Sequence, residues 1–139
     1  MTTTSMTNFL TYNQAVFGLL LLGAKADGKL QDEEKRLIVE ITSEEHHLSA
    51  DEYKNVITES RVKPYDVFLE MVLNTLNTCP YSDRVRALYC LKQLIEAEDP
   101  NSSTGQSVHE DERRLYDISL QRLKVQEKDI LDYARQKSL

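Results

Sequence analysis

The sequence predicts an all-α fold, a compact bundle of about seven helices built from two related halves. Three observations carry that expectation. Apolar residues recur at three- and four-residue spacing along most of the chain, and no strand-like alternation rivals them. Four Gly and three Pro in 139 residues are too few for the turns of an all-β domain of this length. Ser–Glu pairs with capping-box spacing and two of the prolines punctuate the apolar segments. A chain this long is expected to form one domain, 1–139, with a sizeable core.

The elements follow in order. Residues 1–7 are Thr-rich and uncharged and are expected to fray. A first helix is expected over 8–25. Its apolar residues Phe9, Leu10, Tyr12, Val16, Phe17, Leu19, Leu20, Leu21 and Leu22 surround it, so it should be central. Asp27-Gly28 ends it in a tight turn. A second helix begins near Gln31 with Asp32, Glu33 and Glu34 in its first turn, where carboxylates complement the macrodipole. Leu37, Ile38 and Ile41 form its inner stripe, and His46 and His47 lie near its end. Ser49 with Glu52 opens a third helix through Tyr53, Val56 and Ile57. Pro64 suits the first position of a fourth, with Val67, Phe68, Met71, Val72 and Leu76 facing inward. Pro80 breaks the chain, and Ser82 caps a fifth helix carrying Val85, Leu88, Tyr89, Leu91, Leu94 and Ile95. Residues 99–107 form a polar loop. Ser107 with Glu110 opens a sixth helix through Leu115, Ile118 and Leu123, and a last helix covers 126–136 with Ile130, Leu131 and Tyr133.

Charge and composition exclude several functions. A net charge of −6 and a pI near 5.1 leave no basic face for a nucleic-acid backbone. Lys and Arg are dispersed, so no polybasic membrane patch forms. The apolar run 15–24 spans ten residues, too short to cross a bilayer, and no Lys or Arg precedes Lys25 to make a leader sequence. Cys79 and Cys90 show no metal-ligand spacing and read as reduced thiols of a cytoplasmic protein.

The motif with chemical content is an acidic turn that occurs twice. The first copy runs Ala26-Asp27-Gly28-Lys29-Leu30 and on to Glu34, Arg36 and Leu37. The second runs Ala97-Glu98-Asp99, then a polar excursion, then Val108, Glu112, Arg114 and Leu115. Leu30, Glu34, Arg36 and Leu37 fall on Val108, Glu112, Arg114 and Leu115 at one constant offset. Clustered carboxylates repel one another until a divalent cation, a Lys or Arg partner, or full solvation relieves them. The run Leu19-Leu20-Leu21-Leu22-Gly23-Ala24-Lys25-Ala26-Asp27-Gly28-Lys29-Leu30, followed by Glu34 and Leu37, resembles the signature of the TerB family of tellurite-resistance proteins, and of the related N-terminal domain of the DjlA co-chaperones. The resemblance implies a helical bundle of two related halves whose acidic residues bind a divalent metal. It implies Asp27 and Glu34 as ligands in the first half, with Glu98 or Asp99 and Glu112 in the second. There the chain departs from the pattern, with Glu98-Asp99-Pro100 in place of Asp-Gly and about seven extra residues before Val108.

Other readings compete. Asp99, Asn101, Ser103, Ser107 and Glu110 occupy EF-hand positions one, three, five, nine and twelve. Thr104 stands where the sharp-turn Gly belongs and Gln106 where Ile is usual, which argues against a true EF-hand pair. Glu44 and His47 make one Glu-x-x-His, which di-iron bundles use twice. His109 with Glu112 could supplement a cation site. Lys35, Arg36, Arg113 and Arg114 follow the key Glu residues in register and could neutralise them in place of a metal. No nucleophile elbow, P-loop or dinucleotide glycine pattern appears, so no catalysis is expected.

Two functions are therefore expected in competition. One is a small cytoplasmic divalent-cation-binding protein with a role in tellurite resistance or stress response, a role the resemblance alone implies. Oxygen ligands favour Ca²⁺ or Mg²⁺, with Zn²⁺ or Mn²⁺ possible. The other is a helical interaction module of TerB or DjlA type, co-chaperone-like or a signalling adaptor, whose acidic turns serve as a docking surface for another protein and hold no physiological metal. Neither involves nucleic acid or membrane insertion.

Overall fold

The computed structural model describes residues 10–24, 32–45, 47–97 and 106–138. Among these residues the chain is all-helical, with seven helices and no strand. They are α1 (Tyr12–Ala24), α2 (Asp32–Glu45), α3 (Ala50–Val62), α4 (Tyr65–Asn77), α5 (Tyr81–Ala97), α6 (Gln106–Leu123) and α7 (Glu127–Ser138).

α1 is the centre of the bundle. It packs against α2, α3, α4, α5 and α6, and every residue from Gln14 to Ala24 is buried. Two glycines let neighbours come close. A Cβ at Gly18 would lie 3.0 Å from Val72 Cγ2 and 3.1 Å from the Phe68 ring, so α4 crosses there with no room to spare. A Cβ at Gly23 would lie 3.0 Å from Leu91 Cδ1 and 3.4 Å from Leu94 Cδ2, both on α5.

Local signals set most helix ends, and several expectations need correcting. α1 starts at Tyr12, not at residue 8. Thr11 Oγ1 accepts from the Gln14 N–H at 3.2 Å while Gln14 Oε1 accepts from the Thr11 N–H at 3.1 Å. This is a Thr-x-x-Gln capping box, and it fixes the helix start. The expected Ser49–Glu52 box is present in both directions. Pro64 precedes α4 rather than opening it. Its ψ of 153° is extended, and its carbonyl accepts from the Phe68 N–H at 3.0 Å. In the same way the Pro80 carbonyl accepts from Asp83 and Arg84, which puts Ser82 inside the first turn of α5. α6 begins at Gln106, one residue before the expected cap Ser107. Val67, expected inward, is 50% exposed, and Ile118 and Leu131 are exposed as well. The inner stripe of α4 instead runs through Phe68, Met71, Val72, Thr75 and Leu76 at helical spacing, and Val67 falls beside it.

Polar contacts at the helix ends set the helix directions. The Tyr12 hydroxyl donates to the Asp83 carbonyl at 2.9 Å, while Gly23 meets Leu91 and Leu94, so α1 and α5 run parallel. The Arg84 guanidinium donates to the Leu123 carbonyl at 2.7 Å, while Leu115 lies beside Gly23, so α6 runs antiparallel to both. The Gln14 side chain reaches the Glu52 carbonyl, and the Phe17 and Tyr53 rings meet edge to face at 4.8 Å, seating α3 on α1.

α6 ends in a Schellman motif. The Val125 N–H donates to the Leu120 carbonyl and the Lys124 N–H to the Gln121 carbonyl, with Lys124 at φ 55°. Lys124 is the only described non-glycine residue at positive φ, and its Cβ opposes that conformation. Lys124→Gly should therefore stabilise the protein by up to about 1 kcal/mol in urea unfolding. At the opposite extreme, Leu20→Ala removes a fully buried side chain from the central helix. It should cost about 2–5 kcal/mol in the same measurement, and a cost below about 1 kcal/mol would contradict the central position of α1.

Candidate metal centre

One of the five candidate ligands is described in full. Glu112 sits on the inner stripe of α6 with Leu115, Tyr116, Ser119 and Leu123, all buried. It is 1% exposed, and both carboxylate oxygens are enclosed. A carboxylate taken out of water needs a counter-charge, a cation or a proton. An interior position for a residue of this type is uncommon.

The helix directions place it. Leu115 lies beside Gly23, and α6 runs antiparallel to α1, so Glu112 lies one turn further toward the C-terminal end of α1. The C-terminal end of α5 and the start of α6 are at that end too. Ala24 at the end of α1, the end of α5 and the start of α6 therefore lie at the end of the bundle where Glu112 is buried. Gly23 matters to this arrangement because it lets α5 and α6 close on the end of α1. The sequence reading gave it no positioning role, although a glycine inside an apolar helix signals close approach.

The remaining candidates are placed less fully. Glu34 lies in the first turn of α2, as expected, with its side chain outside the described part. Asp27, Glu98 and Asp99 lie outside the described residues, as do the EF-hand positions 99–105. Glu44 and His109 are helical with side chains that are not described, and His47 is exposed, its carbonyl accepting from the Asn13 side chain. Among the described residues no three or more His, Cys, Asp or Glu side chains gather as a metal site. The cationic rivals Lys35, Arg36, Arg113 and Arg114 lie on exposed faces of α2 and α6. Cys79 and Cys90 form no disulfide, and burial pushes the Cys79 thiol up.

Comparison with family models, with curated proteins and with solved structures gives no match.

A buried carboxylate that meets a cation would be a burden to the cation-free protein, and one that meets a protein cation would not. In EDTA, Glu112→Gln should be as stable as the wild type or more so in urea unfolding, because it removes a charge from the interior. A loss of about 3 kcal/mol or more would instead identify Glu112 as half of a buried ion pair.

Proposed function

We propose that this chain is a small TerB-like helical protein that binds one divalent cation at the end of its bundle. Asp27 and Glu34 would act with Glu112 and with Glu98 or Asp99. Burial of the Glu112 carboxylate at the end where α1 and α5 finish and α6 starts carries this reading. The donor set is all oxygen, which suits Ca²⁺ or Mg²⁺ better than Zn²⁺. A part in tellurite resistance or a stress response would follow from the TerB resemblance.

A second reading is favoured by a separate observation. Val62, Tyr65 and Val67 are exposed together at the α3–α4 corner, an apolar surface of the kind that a protein partner covers. On this reading the protein is a docking module and the acidic turns bind no physiological metal.

A thermal-shift panel of Ca²⁺, Mg²⁺, Mn²⁺ and Zn²⁺ against EDTA separates the two. Binding to the native state alone contributes about 2.7 kcal/mol at a hundredfold excess over Kd, so the wild-type melting temperature should rise by several degrees. Glu112→Gln, and separately Asp27→Asn with Glu34→Gln, should abolish that rise. A wild type whose melting temperature is the same in EDTA and in every cation would support the docking module.

A further inference from the structure

The molecule holds a second candidate site between α2 and α3. Both α2 and α3 pack on α1, yet among the described residues they make at most slight contact with each other. The gap between them is a pocket of about 420 Å³, a size common among small-molecule sites. Its floor is Phe17 and Leu21 of α1 with Ile38 of α2, all buried. Tyr53 and Ile57 of α3 form one wall, and Val39, 42% exposed, forms the opposite lip. The Tyr53 phenol is pushed up by burial, so it remains a hydrogen-bond donor across the physiological range.

Among the described residues, the charged side chains that line this pocket are cationic. Lys35 and Arg61 both line it, in a chain whose net charge is −6. Lys35 is in the first turn described for α2 and Arg61 in the last turn of α3, so the two cations reach the pocket from opposite walls. An apolar floor with cations at its edge matches a ligand that has a hydrocarbon body and one negative head. We propose that this pocket binds a small amphiphilic carboxylate, with its chain on Phe17, Leu21, Ile38 and Ile57 and its carboxylate at Lys35 and Arg61. The size of the pocket favours a compact ligand over a partner helix, which presents anchors along several turns.

Calorimetric titration of the full chain with decanoate, decanol and decyltrimethylammonium tests this. Performed in EDTA, it is independent of any cation at the acidic turns. Decanoate should saturate at one per chain. Decyltrimethylammonium should bind at least about tenfold more weakly, the scale of two exposed ion pairs. Lys35→Gln with Arg61→Gln, both exposed positions, should erase that preference while leaving decanol binding unchanged. Ile57→Trp should fill the pocket and block all three ligands. Val39→Glu, at an exposed position that spares the fold, should weaken decanoate by about tenfold or more by repulsion. Equal binding of decanoate and decyltrimethylammonium, or a preference that survives the double substitution, would overturn the proposal. So would decanoate that fails to saturate, and a monomer–dimer balance in sedimentation that shifts with Val39→Glu would then assign the pocket to a second copy of the chain.

Discussion

The structure depends on the enclosure of α1. Its residues from Gln14 to Ala24 are buried, and five helices share its surface. So many neighbours fit around one helix only where side chains are small enough to let backbones approach. Gly18 does this for α4, through Phe68 and Val72, and Gly23 does it for α5, through Leu91 and Leu94. Glycine within a helix is a poor helix former, so local propensity is given up for close packing. α1 is also apolar on every side, so its register is fixed by these two close crossings rather than by one hydrophobic stripe.

That constraint also creates the two features with chemical interest. Because α6 runs antiparallel to α1 and α5, its second turn lies at the end where α1 and α5 finish. The glycine that admits Leu91 and Leu94 lies beside Leu115 as well, and Glu112 is one turn beyond it. Burial of Glu112 is thus a consequence of tight closure around Gly23. The pocket has the opposite origin. α2 and α3 lean on the same central helix from different sides, and the wedge between them stays open.

How legible this was in the sequence depended on range. The all-helical class, the central first helix, the Ser49 cap and the Pro80 break could be read locally, because periodicity and capping act within a few residues. The Thr11–Gln14 box was also local but was obscured by Phe9 and Leu10, whose apolarity extended the helical pattern past the true start. Val67 was placed inward because it is apolar, yet neighbours from distant elements decide which stripe faces the core. Glu112 was named from its offset to Glu34, and its i+3 and i+4 neighbours Leu115 and Tyr116 already marked an inward face. The pocket was not legible, because Phe17, Ile38, Ile57 and the two cations come from three helices and meet only in the tertiary fold.

α2 carries one wall of the pocket, and its anchoring is light. Its described buried side chains are Ile38, Thr42 and Ile41, and Thr42 spends its hydroxyl on the Ile38 carbonyl of its own helix. α3 is fully buried only at Val56. By contrast α1 is buried along nearly its whole length, and α4 buries Phe68, Met71, Val72, Leu73 and Leu76. Elements with few buried contacts open at lower free energy than the core they rest on. Both the acidic first turn of α2 and its pocket-lining face therefore belong to a helix whose position is set by a narrow stripe. A ligand that touches such a helix acts where the native structure is lightly anchored, so a modest binding energy has a large effect there.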